Sequence, residues 1–158
     1  MRISAACLLL TTAMLVGCAG SGADLRPVNT VEVDGLSVSV EILKRDFNIG
    51  ETFVATVTAE NRTKMPIEII ARTGAPVYMR LWRHTGLTWQ EVKRYPEAAT
   101  MVMSPWTLAP GDRRVFARQL VVEPDWPTAE LLRLTAELNG RDEVAPALVI
   151  EVHPSARP

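Results

Sequence analysis

Short runs of alternating apolar and polar residues recur along most of this sequence. In the clearest run, residues 36–43, the apolar positions are Leu36, Val38, Val40 and Ile42. A period of two is typical of a β-strand with one buried face, because successive side chains on a strand point to opposite sides. Asp34-Gly35 directly precedes this run and is a hairpin-turn signal. Residues 30–33 and 36–43 are therefore predicted to form two strands joined by a tight turn.

The same pattern continues through the rest of the chain, with turn-forming residues between the runs. The further predicted strands are residues 53–59, 67–71, 77–82, 89–92, 113–122, 132–138 and 148–152. About seven to nine short strands without a long helical period favour an all-β fold, an immunoglobulin-like antiparallel β-sandwich. Residues 129–138 are ambiguous because they begin with good helix formers. The hairpin signal Asn139-Gly140 at their end favours a strand.

The beginning of the chain has a different pattern. Met1-Arg2 precedes an apolar stretch over residues 3–16, which is shorter than the roughly 20 residues needed to span a bilayer. The stretch ends in Leu15-Val16-Gly17-Cys18, where a cysteine follows a small residue. This segment resembles the lipobox of bacterial lipoproteins. The resemblance implies that Cys18 is lipidated and becomes the mature N-terminus, and that Cys7 leaves with the cleaved peptide.

The lipobox resemblance implies a domain organisation and a location. The expected parts are a signal peptide (1–17), a lipidated flexible tether (18–30), the sandwich domain (31–154) and a tail (155–158). The lipid on Cys18 anchors the protein to the membrane, and no other cofactor is expected. Ala19 stands where lipoproteins retained in the inner membrane often carry aspartate. An outer-membrane location facing the periplasm is therefore expected.

Residues 36–123 also resemble the BsuPI-type intracellular proteinase inhibitor domain, an immunoglobulin-like sandwich. The likeness rests on the order of a series of sequence signals along the chain. They are Gly50-Glu51-Thr52-Phe53, Asn61-Arg62-Thr63, Met65-Pro66-Ile67-Glu68-Ile69, Leu81-Trp82-Arg83, the hairpin to Trp89, and Leu108-Ala109-Pro110-Gly111-Asp112. It implies the sandwich fold. Proteinase inhibition stays an alternative function, because no residue here matches a reactive position.

Residues that could carry catalysis are scarce. The two histidines, His84 and His153, lie in no known catalytic motif, and both cysteines precede residue 19. We therefore predict that the protein is not an enzyme. The formal net charge is −1 and the cationic residues are scattered, which argues against a nucleic-acid partner.

Aromatic residues in the predicted hairpin and the loop after it form a candidate binding surface. If Met79 and Leu81 face the core, the alternating neighbours share the outer face. The candidate binding residues are Tyr78, Arg80, Trp82, Trp89, Tyr95 and Trp106. Aromatic and arginine side chains are enriched at interface hot spots. The alternative is internal packing, with residues 93–107 covering these side chains.

Met101 and Met103 suggest a second kind of site. Two thioethers on one side of an extended segment suit Cu(I), and His84 could add an imidazole. The alternative is that both methionines pack over the end of the sandwich as adaptable apolar filler.

The favoured function is a membrane-anchored, non-catalytic binding module with an envelope protein or polymer as partner. Proteinase inhibition and periplasmic copper binding are the alternatives.

Overall fold

The computed structural model describes residues 26–154, which contain eleven β-strands and no helix. The strands are β1 (Val28–Val33), β2 (Leu36–Glu41), β3 (Asp46–Asn48), β4 (Thr52–Asn61), β5 (Ile67–Ala71), β6 (Val77–His84), β7 (Trp89–Tyr95), β8 (Ser104–Leu108), β9 (Arg113–Val121), β10 (Leu131–Leu138) and β11 (Ala147–His153). No helix in this part of the chain is long and apolar enough to cross a membrane.

The strands form two main sheets and a small third one. The first sheet has the order β1-β2-β4-β9, the second has the order β3-β11-β10-β6-β7, and β5 pairs with β8. All of these pairs are antiparallel except β3 with β11, which is parallel. The all-β sandwich predicted from the alternation is therefore confirmed.

The apolar faces of the two main sheets pack against each other. β2 and β4 contribute Leu36, Val38, Val40, Phe53, Ala55, Val57 and Ala59, and β6 and β10 contribute Val77, Met79, Leu81, Leu132, Leu134, Ala136 and Leu138. All of these side chains are buried. Fully burying a large aliphatic side chain is worth about 1.5–3 kcal/mol. This layer is therefore the main source of stability, and it fixes which side chains of each strand face solvent.

Several local features differ from the sequence-based expectations. The structure has eleven strands in residues 26–154 rather than the expected seven to nine, because β3 and β8 lie in segments that were predicted to be a turn and an irregular loop. Residues 131–138 form strand β10, so the helical alternative is excluded. β1 already begins at Val28, inside the segment assigned to the tether. At the first turn, Asp34 and Gly35 both have positive φ, as a tight hairpin turn requires.

Candidate functional site

The outer face of the five-stranded sheet carries much of the candidate binding surface. Met79 and Leu81 are buried in the core, so Tyr78, Arg80 and Trp82 point the other way. β10 lies beside β6 in a register that places Arg133 opposite Trp82. On the other side, β7 places Trp89 opposite His84. Side chains from three strands therefore meet on one solvent-facing surface.

We call this surface the Trp82–Trp89 face. It consists of Arg80, Trp82, Trp89, Arg133, Thr135 and Glu137, which border a shallow depression of about 420 Å³. Trp89 is 39% exposed, and the Arg133 guanidinium lies 5.7 Å from the centre of its ring. The Trp82 indole Nε1 donates a 2.9 Å hydrogen bond to Thr135 Oγ1. Trp82 is thus held in place, while Trp89 and Arg133 remain available for contact.

The two arginines on this face have different electrostatic environments. Arg80 lies 3.2 Å from the Glu91 carboxylate and 2.8 Å from that of Glu137. Burial raises the pKa of Glu137, although the Arg80 charge acts in the opposite direction. Arg133, by contrast, forms no ion pair with any carboxylate in residues 26–154. Its charge is therefore available to a partner.

Tyr78 lies on the same side of the sheet, and its hydroxyl shares a 2.7 Å hydrogen bond with Thr73 Oγ1. Tyr95 does not join the surface. It pairs with Met79, so its ring lies on the inner side of the sheet against the core. Its hydroxyl donates to Glu123 and accepts from Trp126 Nε1.

Trp106 lies in the small third sheet and packs elsewhere. Its ring centroid is 5.9 Å from that of Phe116, and the Arg114 guanidinium lies 4.7 Å from its centre. The outer-face hypothesis therefore fits Tyr78, Arg80, Trp82 and Trp89. Tyr95 and Trp106 are instead partly buried and pack against the hydrophobic core.

The structure does not bring the proposed copper ligands together. His84 lies at the β6–β7 hairpin end, where its ring packs 5.1 Å from that of Trp89. Gly74 N donates to Thr100 O, which places the chain just before Met101 near the opposite end of β6. An eight-residue strand spans roughly 25 Å. Met101 and Met103 are 86% and 66% exposed, so neither packs as apolar filler.

Arg133, Thr135 and Glu137 were not selected as site residues from the sequence. The alternation of β10 puts the three on one face, but only the pairing with β6 brings them beside Trp82. Cys18 lies outside the described residues.

No family model and no curated protein matches the chain. Among solved structures, the sporulation control protein Spo0M from Bacillus subtilis aligns with 79% of this chain and 51% of its own, at a TM-score of 0.51 and 15% identity. A β-glucosidase from Listeria innocua aligns at a TM-score of 0.42 and 14% identity, covering 81% of this chain and 16% of its own. This chain therefore spans about half the length of Spo0M, and the likeness to Spo0M shows a shared β-sandwich fold.

Proposed function

We propose that this protein is a lipid-anchored, non-catalytic binding module of the bacterial envelope, and that the Trp82–Trp89 face contacts a protein partner. The proposal combines the lipobox-like segment ending at Cys18 with the exposed Trp89–Arg133 pair. The second observation supports binding, because tryptophan and arginine side chains are enriched at interface hot spots.

The chemistry of the face indicates what the partner presents. Trp89 offers apolar ring area, and Arg133 offers guanidinium donors that suit a carboxylate. The expected partner is a protein whose contacting surface places Asp or Glu beside an apolar side chain. Proteinase inhibition is a weaker proposal, because the BsuPI-type likeness supplies no reactive residue for a protease cleft.

Site-specific crosslinking in intact cells tests this proposal. A photoreactive residue at Trp89 should yield one protein adduct, whereas the same residue at Val115, which is exposed on the outer side of the other main sheet, should not. Purified partner should then bind at least tenfold more weakly to Trp89→Ala and to Arg133→Glu.

Three outcomes would contradict the proposal. The first is an equal yield of adduct at Trp89 and Val115. The second is an adduct whose added mass is removed by glycan hydrolases, since the partner would then be an envelope polymer. The third is unchanged affinity in both variants.

A further inference from the structure

Three potential metal ligands meet at the edge of the five-stranded sheet, away from β6 and β7. Asp46 lies in β3, and Glu151 and His153 lie in β11. The parallel register places Glu151 directly opposite Asp46, and His153 follows two residues later on the same side. Phe47 and Val152, the intervening residues, are buried in the core. Asp46, Glu151 and His153 therefore all face solvent from one side of two paired strands.

The distances suit a shared metal ion. One ligand atom from each of the three side chains lies within 4.8 Å of the others, and His153 Nε2 is 3.8 Å from Asp46 Oδ1. A tetrahedral zinc ion with bonds of about 2.1 Å holds its ligands about 3.4 Å apart. Side-chain rotations that move these atoms by about 1 Å would close the site, while the paired backbones stay in register.

The charges also favour a cation at this position. Asp46 and Glu151 are like charges directly opposite each other on two parallel strands, so the two carboxylates repel each other. Apart from His153, no cationic side chain in residues 26–154 forms an ion pair with either carboxylate. A divalent cation bound between the two carboxylates would attract both of them and offset their mutual repulsion.

We propose that Asp46, Glu151 and His153 form a surface site for a divalent transition-metal ion, and that zinc fits it best. One imidazole and two carboxylates belong to the ligand types zinc takes, and three protein ligands leave the fourth position to water. The ion would join the short edge strand β3 to β11. This site is independent of the Trp82–Trp89 face.

Zinc titration of the untagged full chain in detergent, after treatment with a chelator, tests the site. Calorimetry should show saturable binding of one Zn²⁺ per chain, and zinc should raise the melting temperature. Glu151→Gln and His153→Gln should each weaken zinc binding at least tenfold. The matched controls Glu68→Gln and His84→Ala remove an exposed carboxylate and an exposed imidazole elsewhere, and should bind zinc like the wild type.

Glu151→Gln also separates loss of the site from loss of the fold. Without zinc, it should melt at the wild-type temperature or above, because it removes the repulsion with Asp46. Its melting temperature should not respond to zinc. Non-saturable binding, wild-type affinity in both site variants, or loss of binding in His84→Ala would overturn the proposal.

Discussion

The side-chain amide of Asn139 donates a 2.7 Å hydrogen bond to the carbonyl oxygen of Ala75. The same amide donates to Thr73 Oγ1 at 2.8 Å, and Asn139 Oδ1 accepts from the backbone N–H of Arg72 at 3.1 Å. Asn139 is buried where β10 ends. The Asn139 side chain thus bonds three polar groups of the loop that leads into β6. This loop precedes the strand that carries Tyr78, Arg80 and Trp82.

Replacing Asn139 with alanine should destabilise the protein by about 2–3 kcal/mol, because buried loop groups lose their partners. The free energy of unfolding from urea titration measures the effect. Asn48→Ala is the matched control, since Asn48 is exposed, and it should cost less than about 0.5 kcal/mol. Similar losses in the two variants would show that the Asn139 network contributes little.

Gly140→Ala and Gly50→Ala are a second pair of substitutions to compare. Both have positive φ, so alanine at either position should cost about 1–2 kcal/mol in backbone strain. A Cβ at Gly140 would also lie 2.3 Å from the carbonyl oxygen of Ile70, whereas a Cβ at Gly50 would meet nothing within 4 Å. Gly140→Ala should therefore lower the free energy of unfolding by at least about 1 kcal/mol more than Gly50→Ala does. Equal costs would contradict the close approach.

Tyr95 should make stability sensitive to alkaline pH. Burial raises the pKa of its phenol from 10.0 to about 12. A group whose pKa is higher in the folded state stabilises the fold fully below its unfolded pKa. Stability is then lost as the pH rises from about 10 through 12.

Unfolding measurements across this pH range should show a steeper loss for the wild type than for Tyr95→Phe. Absorbance titration of Tyr78→Phe isolates the Tyr95 phenol and should give a midpoint near 12. If the free energy of unfolding fell with pH equally in the wild type and in Tyr95→Phe, ionisation of Tyr95 would not be coupled to unfolding.

Cys18→Ala tests the proposed anchor. Acyl chains contribute about 0.8 kcal/mol per buried methylene, so removing the acceptor cysteine should release the protein from the membrane fraction. Incorporation of labelled fatty acid should also disappear. Cys7→Ala is the control, because Cys7 precedes the expected cleavage site, and it should stay acylated and membrane-bound. Continued acylation of Cys18→Ala would exclude the lipobox interpretation.

Much of the fold was predictable because the alternation is a local property of the chain. β2, β4 and β6 and the β6–β7 hairpin follow the predicted runs closely. β3 was missed because it has three residues, and its partner β11 lies about 100 positions away. β8 was missed because Pro105 lies inside it and it pairs only with β5. Both strands depend on long-range pairing, which a local pattern does not report.

One part of the candidate site was likewise predictable from the sequence, and the other part depends on long-range strand pairing. The shared face of Tyr78, Arg80 and Trp82 follows from strand parity. Parity alone does not give the facing of the β7 side chains, because a register shift between Leu81 and Trp82 interrupts the β6–β7 pairing. Tyr95 pairs with Met79 and lies on the core side of the sheet. Arg133 reaches Trp89 only because β10 is the neighbour of β6.

The sequence by itself determined the all-β class and which residues of each strand share a face, because a period of two is inherent in the extended backbone. The lipobox-like segment is likewise a property of the sequence alone. The tertiary structure decided which strands are neighbours and which faces remain open to solvent. Those choices depend on contacts between distant segments, which bring Arg133 to Trp89 and place Asp46 opposite Glu151.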